Sequence, residues 1–227
     1  MPKATQRFEL LVGSDAVRGL KEKRVAVFGL GGVGGSLAEA LARAGIGRLD
    51  LVDDDVFTET NLNRQLFAVS SAVGQKKTDV AKKRLLDVCP ACVVTTHDMF
   101  YLPETADAID TVSAKLELIC RAKAAGVPIL SCMGTGNRLD PTKLTVCDVY
   151  KTAGDPLSRV MRRELRKRGV PSLTVVCSDA EPIPRHETDD PPETKGNLSR
   201  PAPGSSPFVP PAAGLLMASV IVRELIK

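Results

Sequence analysis

A glycine-rich turn and an acidic residue predict a nucleotide site near the start of the chain. The pattern G-x-G-x-x-G follows the apolar run 24–28 and consists of Gly29, Gly31 and Gly34. Gly32, inside the pattern, is a further candidate for nucleotide binding. Such a turn brings the backbone close to a ligand and directs helix N-terminal amides at phosphate. Asp53 ends the next apolar run, where a carboxylate accepts hydrogen bonds from ribose hydroxyls. Dehydrogenases share this pattern, so it does not separate NAD from ATP.

Cationic residues after Asp53 favour ATP over NAD. The segments NLNRQ at 61–65 and VGQKK at 73–77 supply Arg64 and Lys77. In adenylation a carboxylate attacks the α-phosphate and pyrophosphate leaves, so negative charge builds on phosphate oxygens. Arg, Lys and Mg²⁺ stabilise that charge. Dinucleotide binding has no need of this Arg and Lys arrangement.

Alternating apolar runs and helical patterns predict an α/β fold with a mostly parallel, Rossmann-like sheet and flanking helices. Strands are predicted at 24–28, 49–52, 93–96, 127–131, 144–149 and 173–177, and helices at 36–44, 77–88, 113–125, 157–169 and 212–226. Residues 1–227 are interpreted as a single domain. The segment 182–207, rich in proline, charge and serine, is predicted to be a mobile surface loop.

Composition is that of a folded intracellular protein. Hydrophobic residues make up 43% of the 227 residues, which is enough for a core, and the net charge of +4 is compatible with nucleic acid without indicating it. No run reaches transmembrane length and no apolar signal core begins the chain, so we expect a cytoplasmic protein without membrane contact.

The six cysteines are predicted to be buried free thiols. Cys89 and Cys92 form a CxxC, but a closed zinc site usually has a second ligand pair, and no other CxxC occurs. Cys177 ends a strand-like run. A thiolate is a good nucleophile, yet burial in the strand is the favoured interpretation.

The motifs together resemble the ubiquitin-activating-enzyme superfamily and its bacterial ThiF-type adenylating relatives. The matching segments are GLGGVGG, LVDDD, NLNRQ, VGQKK and AIDTV at 108–112. The resemblance implies that Asp53 holds the ribose and that Arg64 and Lys77 contact the phosphates. It also implies that Asn61 helps to position the phosphates and that Asp110 binds magnesium. Arg7 is a poor match to an arginine that reaches the partner's ATP across a dimer interface.

Later segments resemble the tRNA threonylcarbamoyladenosine dehydratase family. These are AIDTVSAK at 108–115, GTGNRLDP at 134–141, the KT and DPL segments at 151–157, and SPFVP at 206–210. The resemblance implies ATP-dependent activation of the threonyl carboxylate of a modified tRNA adenosine, then ring closure with loss of AMP. The implied cofactors are ATP and Mg²⁺, and the implied partners are tRNA bearing threonylcarbamoyladenosine, a second copy of the chain and a sulfur-transfer accessory protein.

The chain departs from that family near 107–108. Family members carry an apolar strand immediately before AIDTV, whereas here Thr105-Ala106-Asp107 runs directly into it. A parallel crossover needs a dozen or more residues. About a dozen residues are therefore predicted to be absent, either omitted from the sequence or lost with a central strand, and omission is favoured. The placement of Asp110 depends on this point.

Two other functions are compatible with these features. One is adenylation of a sulfur-carrier protein's C-terminus, although those enzymes usually carry two CxxC pairs. The other is a non-catalytic nucleotide-binding module. A nicotinamide dehydrogenase is a more distant third alternative, because such an enzyme has no role for Arg64, Lys77 and Asp110.

The helix around Arg159 to Arg168 carries six cations and is either a tRNA-binding surface or a solvated face.

Overall fold

Strands and helices alternate along the residues that the structure, a computed structural model, describes: 3–99, 111–184, 186 and 203–227. The helices are α1 (Gln6–Val12), α2 (Ser14–Leu20), α3 (Gly34–Ala44), α4 (Lys77–Val88), α5 (Thr111–Ala124), α6 (Pro156–Lys167) and α7 (Val209–Leu225). The strands are β1 (Arg24–Phe28), β2 (Arg48–Val52), β3 (Val93–His97), β4 (Leu130–Cys132), β5 (Leu144–Asp148) and β6 (Thr174–Ser178).

The chain divides into two compact units, Met1–Phe100 with Pro210–Lys227, and Tyr101–Val209. In the first unit, β1, β2 and β3 form a parallel sheet in that order. Phe28, Val52 and His97 lie side by side at its carboxyl edge. The predicted α/β class with a mostly parallel sheet is confirmed, and its first strand has the predicted bounds.

The two faces of this sheet have different surroundings. Val27, Leu51 and Val94 are buried on the face that contacts α3 and α4. On the opposite face Phe28 of β1 is 43% exposed and Val93 of β3 is 56% exposed, whereas Asp50 and Val52 of the central strand β2 are buried. Parallel sheets are normally covered on both faces, and on this face the cover is incomplete only at the outer strands.

Helix α7 packs closely on α3 within the first unit. A side chain at Gly214 would overlap the carbonyl oxygen of Val33, so only glycine allows the two helices to approach this closely. The helix begins with Val209-Pro210-Pro211, and proline suits a first turn because its missing N–H has no partner there anyway. The predicted helix 212–226 therefore starts three residues earlier than expected.

The second unit contains a mixed sheet in the order β4-β6-β5. Strand β6 pairs with β4 in parallel and with β5 antiparallel. Its core is built from these strands, from α5 and α6, and from the segments beside them. Its buried members are Leu116, Ile119, Met133, Val149, Met161, Leu165, Val170, Leu173, Val175 and Cys177.

The predicted strand 127–131 begins three residues too early. Val127 donates its N–H to the carbonyl of Ala122, and Gly126 has a φ of +66°. This is the Schellman arrangement that ends a helix, so Val127 belongs to the cap of α5 and β4 starts at Leu130. The same arrangement at Gly169 ends α6 at Lys167, where the sequence predicts a helix to 169.

Several predictions fall outside the described residues. These are Asp110, the apparent deletion near 107–108 and most of the loop 182–207. The described ends of that loop meet at one residue, Asn137. Its carbonyl accepts from the N–H of Ile183, and its Oδ1 accepts from the N–H of Gly204 at 2.7 Å. The single-domain interpretation stays a prediction.

Candidate functional site

The glycine loop between β1 and α3 has the expected tight-turn geometry. Gly29 has a φ of +84°, a conformation that side chains disfavour, and its N–H donates to the carbonyl of Val52 at 2.8 Å. A side chain on Gly34 would overlap the carbonyl oxygen of Gly29. Glycine at these positions lets α3 begin directly above the turn, with its N-terminal amides at the loop.

Asp53 is tied to this loop. Its Oδ2 accepts from the N–H of Leu30 at 2.6 Å, and its Oδ1 accepts from the N–H of Asp55 at 2.9 Å. The carboxylate follows β2 and therefore lies at the carboxyl edge of the sheet beside the glycine turn. A carboxylate oxygen accepts more than one hydrogen bond, so a ribose hydroxyl can add to these contacts.

Arg64 also lies against the glycine loop. The position that a Cβ on Gly32 would take is 3.2 Å from the carbonyl oxygen of Arg64 and 3.5 Å from its Cγ. The guanidinium donates to the carbonyl of Thr60 at 2.7 Å and to Asn63 Oδ1 at 2.9 Å. Burial lowers the pKa of Arg64, but a guanidinium starts so far above neutrality that it stays charged.

Asn61 organises the turn that carries Arg64. Its carbonyl accepts from the N–H groups of Arg64 and Gln65 at 3.1 and 3.0 Å. Its Oδ1 accepts from the N–H of Thr58 at 3.2 Å, which completes a capping box. The amide group of Asn61 thus has a structural task, and a contact with phosphate stays a prediction.

Lys77 is buried at the start of α4. It is 5% exposed and begins α4, and its Nζ lies 3.0 Å from Asp55 Oδ2. Its N–H also donates to the carbonyl of Asp55. A buried ammonium needs a counter-charge, and Asp55 supplies it. Sequence reasoning gave no role to Asp55, and its only signal was its place in the acidic run 53–55.

The described residues provide no ready-made metal site. No group of three His, Cys, Asp or Glu side chains among them could hold a metal ion. Mg²⁺ in nucleotide sites is usually held by one or two carboxylates together with the phosphates of the nucleotide, so the protein needs to supply only one or two ligands. Asp110 lies outside the described residues, and its magnesium role stays a prediction.

The candidate tRNA helix α6 uses two of its cations internally. Arg162 Nη1 donates to the carbonyl and the hydroxyl of Thr152, both at 2.6 Å. Arg166 lies over the ring of Tyr150, 5.1 Å from its centroid. Three further cations form ion pairs with Glu164: Arg168, Arg163 and Lys167. Their hydrogen bonds lower the pKa of the Glu164 carboxyl to about 2.

Cys177 lies buried in β6, as predicted. Burial, with Cys147 Sγ at 3.5 Å, raises the pKa of the Cys177 thiol to about 12. Cys92 of the CxxC is also buried, and its pKa is raised to about 11. Neither thiol is activated as a nucleophile, because nucleophilic attack requires the thiolate.

Similarity to known proteins shows the family of this chain. The family model described as ThiF matches residues 5–226. This chain belongs to the ThiF family. Within that family it is 41% identical to the tRNA threonylcarbamoyladenosine dehydratase of Bacillus subtilis, over 97% of this chain and 94% of that protein. The dehydratase of Haemophilus influenzae is 39% identical, over 67% of this chain and 63% of that protein.

Solved structures of ThiF-family relatives share the fold. The Escherichia coli tRNA N6-threonylcarbamoyladenosine dehydratase TcdA in complex with AMP matches with a TM-score of 0.86 and 28% identity. The match covers 100% of this chain and 96% of that one. The same enzyme in complex with ATP gives a TM-score of 0.84 and 29% identity. In this ThiF-family chain, the described helices include none long and apolar enough to cross a membrane.

Proposed function

We propose that this chain is an ATP-dependent tRNA threonylcarbamoyladenosine dehydratase. The observation that carries the proposal is the site at the carboxyl edge of β1 and β2. There the glycine turn, Asp53 and Arg64 lie together, and Lys77 is held beside them through Asp55. The 41% identity to a dehydratase over nearly both full lengths supports this substrate above others.

The reaction consists of two displacements. A carboxylate oxygen of the threonyl group attacks the α-phosphorus of ATP, and the bond to the pyrophosphate oxygen breaks. An internal nucleophile of the modified nucleoside then attacks the acyl carbon, and AMP leaves. The substrate loses one water overall. The atoms of that water are found in AMP and pyrophosphate, the two products of the cleaved phosphoanhydride bond of ATP.

In this scheme the cations act on the phosphates. Arg64 and Lys77 stabilise the charge that develops during attack and pyrophosphate departure, and Asp53 holds the ribose. Mg²⁺, bound through Asp110, would supply further charge stabilisation. Asn61 fixes the turn that presents Arg64. No thioester on Cys177 is needed, since ring closure is intramolecular.

The tRNA would be held by exposed cations. Arg159, Arg163 and Lys167 are exposed on α6, whereas Arg162 and Arg166 are engaged within their own unit. Phosphate contacts of this kind provide affinity without sequence specificity. With tRNA as substrate, the place of action would be the cytoplasm.

A homodimer is the assembly that fits the exposed apolar residues. Helix α1 buries none of its residues, and its Leu10 and Leu11 are 86% and 80% exposed. Leu66 and Val69 are also exposed and line one groove of about 300 Å³. Exposed apolar residues of this size are typical of association surfaces. A sulfur-transfer accessory protein is a further proposed partner on family resemblance alone.

The length of the alignment with the Bacillus subtilis protein supports the proposal that this chain lacks a segment. The match extends over 239 residues, more than the 227 of this chain, so the relative has residues without a counterpart here. We infer that these residues belong near 107–108, where the chain lacks the apolar strand that precedes AIDTV in the family. The apparent deletion favours a nucleotide-binding module without catalysis as the second candidate function.

One experiment separates the candidates. Purified protein is incubated with ATP, Mg²⁺ and tRNA from cells that lack the cyclic modification. Nucleoside mass spectrometry should show threonylcarbamoyladenosine converted to a product lighter by one water. ATP binding without that product and without pyrophosphate release would identify the non-catalytic module. Pyrophosphate release triggered instead by a carrier protein ending in Gly-Gly would identify a carrier-activating enzyme.

A further inference from the structure

Gln65 is a buried polar residue with an unmet hydrogen-bond requirement. The residue is 7% exposed, and its side-chain oxygen Oε1 has no hydrogen-bond partner among the described residues. Buried acceptors in native proteins almost always have a partner, because leaving one unpaired after desolvation is costly. An exception of this kind calls for a specific explanation.

The backbone of Gln65 is firmly placed. Its N–H donates to the carbonyl of Asn61 at 3.0 Å, and its own carbonyl accepts from the N–H of Ala68 at 2.9 Å. The side chain therefore starts from a fixed turn, and its direction follows from that turn. A structural task for the amide group would show as a hydrogen bond to a neighbour, as it does for Asn61 and Thr58.

The side chain is directed at the glycine loop. Its Nε2 lies 3.8 Å from the position that a Cβ on Gly31 would take. Arg64, the preceding residue, lies in the same way against Gly32. The two neighbouring side chains therefore approach successive residues of the turn that faces the nucleotide phosphates.

We propose that Gln65 is a further residue of the nucleotide site, and that its amide completes its hydrogen bonds only when a polyphosphate is bound. Nε2, on the side of Gly31, donates to a phosphate oxygen, and Oε1 accepts from a water molecule held by the phosphates. This inference rests on the proposed ATP-dependent function. A neutral amide adds a hydrogen bond to the charges of Arg64 and Lys77 without repelling them.

The test compares ATP and AMP affinity by titration calorimetry for the wild-type protein, Gln65→Leu, Gln65→Glu and the control Gln75→Leu. Gln75 is an exposed glutamine on the same connection, and its Nε2 donates to the carbonyl of Ser71. Gln65→Leu should weaken ATP binding by about tenfold, the scale of one hydrogen bond to a charged group, and leave AMP binding within about twofold. Gln65→Glu should weaken ATP further, because its carboxylate repels the polyphosphate.

The melting temperature without ligand provides the second readout. Gln65→Leu removes an unpaired buried acceptor, so its ligand-free melting temperature should equal or exceed that of the wild type. Unchanged ATP affinity in Gln65→Leu and Gln65→Glu would overturn the inference while the proposed function stands. A lower melting temperature with equal losses for ATP and AMP would show a purely structural residue. Failure of the wild-type protein to bind ATP would instead overturn the proposed function, and the inference with it.

Discussion

The ammonium group of Lys77 lies 3.0 Å from a carboxylate oxygen of Asp55, where the chain that leaves β2 meets the start of α4. Asp55 in turn donates its N–H to Asp53, and Asp53 accepts from the glycine loop at Leu30. A cation proposed to act on phosphate is thus connected to the loop that would hold the phosphate. Under the proposed function, the same ion pair would contribute to catalysis and to folding.

Those two contributions can be separated. Lys77→Met should lower ATP-dependent activity by about two to three orders of magnitude, because a transition-state charge partner is lost. It should also lower the melting temperature, because the buried ion pair with Asp55 is lost. Adding Asp55→Asn should restore the melting temperature and leave activity low. The measurements are product formation by mass spectrometry and thermal unfolding. Recovery of activity in the double variant would contradict the role of Lys77.

Arg64→Ala should lower activity to a similar degree, about two to three orders of magnitude, with little change in unfolding. Its hydrogen bonds to Thr60 and Asn63 are exposed, so their loss costs little stability. Arg84→Ala, which removes an exposed arginine paired with Glu39, is the matched control. Equal activity in the two variants would place the phosphate site elsewhere.

The proposed tRNA-binding surface is tested by replacing only those cations of α6 that are exposed, so that the packing of the helix is preserved. Replacement of Arg159, Arg163 and Lys167 by Ala should weaken tRNA binding and make its salt dependence shallower. The slope should fall by about 0.7–0.9 for each phosphate that the variant no longer neutralises. ATP affinity should stay the same. Replacing Arg162 would be a poorer test, because its bonds to Thr152 stabilise the fold.

The control for that experiment removes three exposed lysines of the other unit, Lys21, Lys23 and Lys83. It produces the same change in net charge, so general electrostatic attraction is matched. If both variants lose tRNA affinity equally, or neither does, α6 is only a solvated face.

Asp50 should give the protein an acid-sensitive component of stability. Hydrogen bonds from Arg24, at 2.6 and 2.9 Å, hold the pKa of the buried Asp50 carboxyl below its usual range. A lowered folded-state pKa adds stability above the unfolded pKa of about 3.9, and that stability is lost as pH falls through the folded value. The melting temperatures of wild type and Asp50→Asn should therefore differ at pH 5–7, and this difference should shrink as the pH falls below about 4, towards the folded-state pKa. A difference that does not shrink below about pH 4 would contradict this assignment.

Asn137 holds both described ends of the loop 182–207 and has a φ of +56°. Asn137→Gly should lose only the side-chain hydrogen bond to Gly204. Asn137→Ala should also pay for the left-handed backbone, about 1–2 kcal/mol more. Denaturant unfolding should therefore rank wild type first, Gly second and Ala last. Greater stability of Ala than Gly would mean that the backbone relaxes at this position.

The sequence predicted local features of this molecule better than side-chain partnerships. Strand 24–28 and helix 77–88 were predicted with their observed bounds, because apolar periodicity and flanking glycines are local signals. The sequence predicts a strand at Val127 because β-branched residues favour strands, but the Schellman hydrogen bond to Ala122 places this residue in a helix cap. The tertiary hydrogen bond outweighs the local preference.

Within the candidate site, the family motifs predict which segments contribute residues but not what each side chain contacts. Arg64 and Gln65 are adjacent in sequence, yet one is a half-buried guanidinium with hydrogen-bond partners and the other a buried amide whose oxygen has none among the described residues. The burial of Lys77 depends on Asp55, 22 residues away. Such pairings follow from the three-dimensional course of the chain, which periodicity does not encode.

The exposed apolar side chains of the β1–β3 sheet have a consequence for the protein as a colloid. Phe28 and Val93 present apolar surface on which another molecule of the same kind can associate. Concentrated solutions should therefore scatter light and bind an apolar fluorescent dye while the secondary structure remains intact. Supplying the segment that we propose to be absent near 107–108 should suppress both signals where that segment covers these side chains, so the behaviour of the purified protein in a cuvette would report on about a dozen residues of its gene.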